Sequence, residues 1–136
     1  MDLLPTDSIG TPARWLICFQ RHSDLWWVER FCPGRFKHVR AFGYAREPDC
    51  WIFYDVALRT TVHLARGGAA RALMLDWTRD AVVLAMDPLP GYRVRLPPFC
   101  CTTAIANLMG VRTAIFPTAL YRHCLRAGAI EVESAA

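Results

Sequence analysis

The fold turns on residues 36–56, FKHVRAFGYAREPDCWIFYDV. Phe36, Val39, Phe42 and Tyr44 make the first half rich in β formers, and Trp51, Ile52, Phe53, Tyr54 and Val56 do the same for the second. Between them Arg46, Glu47, Pro48 and Asp49 form a turn cluster, so the segment predicts a β-hairpin. Folded about a turn near residues 46 and 47, it sets His38 opposite Asp55, with Arg40–Phe53 and Phe42–Trp51 as the next cross-strand pairs. Side chains alternate between faces, so His38 and Asp55 share one. A slip of one residue would bring Tyr54 or Val56 to that place instead.

On the N-terminal side, residues 13–20 (ARWLICFQ) are a compact apolar run and read as a buried strand. Ser23 and Asp24 offer an N-cap to a short helix over residues 25–31, which Cys32, Pro33 and Gly34 stop. On the C-terminal side, residues 60–64 read as a third strand. Gly67 and Gly68 open a helix over residues 69–77, residues 81–86 are another buried strand, and residues 92–96 alternate like an edge strand that Pro97 and Pro98 end. A helix follows over residues 101–109, stopped by Gly110, and Pro117 starts a last helix over residues 118–126, closed by Gly128. Strands come first and helices after, with no repeat and no second core. That order predicts an α+β domain on a mostly antiparallel sheet, residues 12–133, between a loose leader (1–11) and a short tail (134–136).

The chain has 136 residues, enough to bury a core without disulfide staples. Its hydrophobic content of 54% argues against disorder. Arg, Asp and Pro break every long apolar run, so no membrane span is expected. The start, MDLLPTDSIG, lacks a basic region and a continuous apolar one; no signal peptide and synthesis in a bacterial cytoplasm are expected. The net charge of +4 comes from basic residues scattered along the chain, without the clustering that a nucleic-acid interface needs, so no nucleic-acid partner is expected. Six cysteines show no Cys-x-x-Cys pair. Cys18, His22 and Cys32 are the one grouping that approaches metal-ligand spacing, but Cys18 lies in the apolar run. No metal, cofactor or disulfide is expected.

Cys100 and Cys101 stand side by side where the helix over residues 101–109 begins. A thiol attacks as thiolate, and both the positive end of a helix and a neighbouring imidazolium help it to ionise. First-turn N–H groups have no partner within the helix and can face a developing oxyanion. Two thiols packed in a core are the plain alternative, and a partner histidine separates the readings. Of the four histidines, His38 has a matching acid in Asp55. An acid beside a histidine fixes its tautomer and supports the imidazolium. Cys101, His38 and Asp55 are therefore candidates for nucleophile, base and orienter; a surface His–Asp pair on a twisted hairpin is the alternative.

With these residues assembled, the chain resembles the circularly permuted papain-like cysteine peptidases, and among them small phage- and prophage-associated relatives of the NlpC-type cell-wall enzymes. In that permuted order the His strand precedes the Cys helix, as His38 precedes Cys101. Members carry an aromatic-rich segment before the His strand, similar to Leu25-Trp26-Trp27-Val28-Glu29-Arg30-Phe31 and Gly34-Arg35-Phe36-Lys37-His38-Val39 here. Their C-terminal pattern of Pro-Phe-x-Cys, Leu-Gly-Ile-Arg and Thr-Pro-x-x-Leu-Tyr is similar to Pro98-Phe99-Cys100-Cys101, Leu108-Met109-Gly110-Val111-Arg112 and Phe116-Pro117-Thr118-Ala119-Leu120-Tyr121. The step from Cys101 to Gly110 matches with Cys101 as nucleophile. The likeness covers residues 26–125, although Phe116 replaces the usual Thr and residues 60–96 carry no motif that aligns. It implies a permuted papain-like domain and a thiol hydrolase with the triad Cys101, His38 and Asp55, acting without a cofactor on a peptidoglycan or other peptide bond. Acyl transfer is a variant of the same chemistry. The non-enzymatic alternative is a phage virion or tail-assembly protein on the same scaffold, with other phage structural proteins as partners.

Overall fold

A computed structural model describes residues 12–57, 59–89, 100–111 and 115–132. Their elements run β1 (Trp15–Gln20), α1 (Trp26–Phe31), β2 (His38–Ala45), β3 (Cys50–Val56), β4 (Thr60–Ala65), α2 (Gly67–Thr78), β5 (Ala81–Met86), α3 (Cys101–Met109), α4 (Pro117–Arg126) and β6 (Ile130–Val132). The strands form one antiparallel sheet in the order β4-β3-β2-β1-β5-β6. This is the expected α+β class, with the two C-terminal helices in place. The expected strand over residues 92–96, the leader and the tail lie outside the described residues.

Strand alternation splits the core between two faces. On one, Ile17, Phe19, Val39 and Leu84 pack against Ile105 and Met109 of α3 and Leu120 of α4. On the other, Cys18, Phe42, Phe53 and Val83 pack against Ala70 and Trp77 of α2. A strand covered on both faces has no polar side to present, which is why β1 reads as a continuous apolar run. Phe19, Phe42 and Phe53 are almost fully buried, and each such side chain contributes about 1.5–3 kcal/mol of transfer free energy. β6 carries no sequence signal, because three residues are too few to show a period. It is recruited by pairing Ile130 with Ala85.

Two local expectations are corrected. The N-cap of α1 is Leu25, not Ser23 or Asp24. Ser23 instead accepts the Leu25 amide on its hydroxyl at 3.1 Å and gives its own amide to Glu29 at 2.7 Å, which ties the chain just before the helix to its first turn. The hairpin turns between residues 47 and 48, because Ala45 pairs with Cys50 and Phe42 with Phe53. Arg46 to Asp49 make the turn, closed by the Asp49 amide donating to Arg46 at 3.1 Å, with Asp49 at a left-handed φ of 50°. The register therefore differs by two residues from the expected one. A shift of two keeps every side chain on its face, so His38 and Asp55 still share one, as diagonal neighbours.

The chain entering β2 is clamped against α4. Phe36 donates its amide to Thr118 Oγ1 at 3.2 Å, and its ring packs against Phe19 and Tyr121. Gly34 passes so close to the Thr118 side chain, at φ 88°, that a Cβ would collide with it. Lys37 donates its amide to Gln20 at 2.7 Å, which extends the β1–β2 pairing to the residue before His38.

Candidate active site

The two adjacent thiols occupy different positions. Cys100 is the extended N-cap of α3 and Cys101 its first helical residue. Thr103, fully buried, accepts the Cys100 amide at 3.2 Å and lies 3.5 Å from its sulfur, so the pair closes the first turn as a capping box. Gly110, at φ 69°, ends the helix. Cys101 thus sits where the helix dipole favours negative charge.

β2 brings His38 to the same place. Its Nε2 lies 2.7 Å from Asp55 Oδ1, with side chains only 14% and 25% exposed. That contact leaves Nδ1 as the ring nitrogen available to the thiol. Ring and sulfur are close enough for each to shift the other's titration. Burial works against charge on His38, but Asp55 and Cys101 outweigh it and push the ring up to about 9. Burial likewise opposes the Cys101 thiolate. The His38 ring, the Val39 backbone amide and Thr102 nonetheless bring the thiol below its ordinary value. Asp55 is held below the usual carboxylate range: burial opposes this, and His38 first, then Arg40 and His63, overcome it. These neighbours favour a thiolate–imidazolium pair backed by a carboxylate over the neutral pair that burial alone would select.

The other cysteines supply the contrast. Cys18 and Cys124 are fully buried, and burial pushes both thiols up to about 12. Burial also raises Cys32. All six cysteines are free thiols.

Cys101, Cys100, His38 and Asp55 open onto a cleft of about 700 Å³, with Trp27 and Val28 of α1 on its rim. Cys101 is only partly buried there. His22 also lies along the cleft but pairs with Glu29 at 3.1 Å on the surface, and His63 stands exposed on β4. Among the described residues, no three His, Cys, Asp or Glu side chains gather to hold a metal ion, and no helix is long and apolar enough to cross a membrane.

Sequence reasoning overlooked Arg40, Gln20 and Thr103. The signal for Arg40 was present, since it lies two positions from His38 on the same face. Thr103 was legible as the third residue after the cap.

The chain matches no family model, no curated protein and no solved structure.

Proposed function

We propose that the chain is a thiol hydrolase on a permuted papain-like scaffold, cleaving an amide or ester bond. The observation that carries this reading is geometric: Cys101, the first residue of α3 and only partly buried, shares a cleft with a His38 ring bound to Asp55 at 2.7 Å, and, although burial opposes it, that ring lowers the thiol's pKa. Burial alone drives thiols the other way, as Cys18 and Cys124 do.

In this mechanism the Cys101 thiolate attacks the substrate carbonyl carbon and forms a C–S bond. First-turn N–H groups of α3 face the oxyanion. His38 donates its Nδ1 proton to the leaving nitrogen or oxygen as the scissile bond breaks, leaving an acyl-enzyme. The neutral ring then takes a proton from water, whose oxygen attacks the thioester; the acid leaves and the thiolate–imidazolium pair is restored. Asp55 holds the Nε2–H throughout. The resemblance points to a peptide bond in peptidoglycan, with the protein made in a bacterial cytoplasm and working in phage tail or lysis machinery.

The test is incubation of purified sacculi with the protein, with mass spectrometry of the released fragments. New peptide termini are expected from the native chain and none from Cys101→Ser. No release, combined with Cys101 alkylation by iodoacetamide at neutral pH no faster than a model thiol, would remove the enzymatic reading.

A virion or tail-assembly role is the second reading, and the surface of α1 favours it. Trp26 and Phe31 are 69% and 68% exposed, whereas Trp15 and Trp77 lie in the core. Trp is favoured at protein interfaces. Co-purification of a Trp26→Ala variant with phage structural proteins, compared with the native chain, tests that reading.

A further inference from the structure

We infer that Arg40 is a positioning residue: its guanidinium, bracketed by Gln20 and Trp77, fixes the Asp55 oxygen that His38 leaves free. The consequence for catalysis rests on the thiol-hydrolase reading; the positioning itself does not.

Arg40 extends along the same face of β2 as His38. Its Nη1 lies 3.8 Å from Asp55 Oδ2, while Oδ1 is taken by His38 at 2.7 Å. At 3.8 Å the attraction is Coulombic rather than a direct hydrogen bond. The rest of the guanidinium is committed. With the Gln20 amide turned so that its oxygen meets the donors, that oxygen accepts from Nη2 at 2.7 Å and from Nε at 3.1 Å. One face of the group lies over the Trp77 ring, with Cζ 4.2 Å from its centroid. Trp77 is itself fixed edge-on against Phe53 at 5.2 Å and Phe42 at 6.4 Å.

A line of contacts thus runs from the α2 core layer to the carboxylate. It draws on α2 (Trp77), β1 (Gln20) and β2 (Arg40) and ends at Asp55 on β3, so four elements meet at the acid. A guanidinium whose side chain is only 17% exposed carries a desolvation cost. Its Nε–Nη2 edge and its stacking face are spent on Gln20 and Trp77, which leaves Nη1 as the donor nearest Asp55 Oδ2. A carboxylate held at one oxygen alone can rotate about its last bond; a fixed positive charge beside the other oxygen favours one orientation of its plane, and with it the Oδ1–Nε2 geometry.

Arg40 also exerts an opposing effect, because its positive charge disfavours the imidazolium. Among the described residues, the titratable and charged groups that share the cleft with the His38–Asp55 pair are Cys100 and Cys101 at the start of α3, Lys37 and Arg40 at β2, Arg21, His22 and Asp24 after β1, Arg59 before β4, and Asp76, Arg79 and Asp80 at the end of α2 and beyond, while His63 on β4 acts through Asp55. Fixing the carboxylate is inferred to outweigh repulsion, which gives the test its sign.

The experiment follows the His38 ring resonances by NMR against pH in the Cys101→Ala protein, where no turnover is required. Adding Arg40→Met is expected to lower the His38 midpoint by a unit or more, about a tenfold loss of proton affinity. Arg40→Lys keeps the charge but not the fork, and is expected to retain at least half of that loss. Gln20→Leu, which frees the guanidinium but leaves it charged, is expected to move the midpoint the same way by less. An unmoved or raised midpoint in Arg40→Met overturns the inference, as does full rescue by Lys. If Arg40→Met does not fold, the Gln20→Leu shift decides alone: downward supports the inference, and no change or a rise overturns it. Alkylation of Cys101 in the native protein tests the hydrolase reading separately, so either can fail without the other.

Discussion

His38 Nε2 and Asp55 Oδ1 meet at 2.7 Å along a diagonal of the β2–β3 ladder rather than across a rung. The last described pair is Ala41 with Tyr54, so one step further the rung position beside Asp55 belongs to Arg40. The diagonal suits the chemistry. An imidazole and a carboxylate are long enough to span it, and the second carboxylate oxygen stays free for the guanidinium, 3.8 Å away. Four consequences can be measured.

Asp55→Asn keeps the shape of the side chain but removes the charge that holds His38 protonated. The imidazolium loses its main support, and with it the thiolate partner. Hydrolysis by the thiol is expected to fall about a hundredfold or more, the scale of a lost acid–base contribution. Steady-state rates of the native and Asp55→Asn proteins check this; equal rates would take Asp55 out of the site.

The two shifted groups define a pH window. The Cys101 thiol titrates below its ordinary 9.0 and the His38 ring at about 9. Hydrolysis needs both the thiolate and the protonated ring, so it should rise as Cys101 ionises and fall as pH passes about 9. Alkylation needs only the thiolate and should not fall there. For stability, His38 is raised above its ordinary 6.5, so its contribution is complete below about 6.5 and is lost as pH rises through about 9. Asp55 is lowered, so its contribution holds above its ordinary 3.8 and is lost as pH falls through the depressed value. Urea unfolding at a series of pH values measures both limbs. A single limb common to hydrolysis and alkylation would contradict the ion pair.

The thiols should react in a fixed order. Cys101 is expected to take up iodoacetamide at pH 7 at least about tenfold faster than Cys32, whose thiol burial raises. Cys18 and Cys124, buried and pushed up to about 12, should stay unlabelled until the protein unfolds. Peptide mapping after timed quenching gives the order directly. Early labelling of Cys124 would mean that the α4 face opens to solvent.

Thr103→Val preserves volume at a fully buried site but removes the hydroxyl that accepts the Cys100 amide at 3.2 Å. Loss of this cap is expected to cost about 0.5–2 kcal/mol of stability, read from urea midpoints. Fraying of the first turn should also slow Cys101 alkylation, because the N–H groups behind the dipole lose their alignment. Full stability in Thr103→Val would place the cap elsewhere.

By itself, the sequence determined the local elements and the faces they share. The hairpin over residues 36–56, the apolar strands β1 and β5 and the helix from Cys101 to Gly110 follow from period, turn residues and caps, which are short-range effects. His38 and Asp55 could be assigned to one face because alternation survives a register shift of two. Only the tertiary structure decided the rest. The left-handed Asp49 set the register and so put Arg40 beside Asp55. Thr103 made Cys100 the cap and left Cys101 as the first helical thiol. β6 formed because β5 offered it an edge. Above all, the approach of Cys101 to His38 spans more than sixty intervening positions, and it depends on α3 packing against the sheet through Ile105 and Met109. Burial and long-range packing choose that meeting, and no local pattern encodes it.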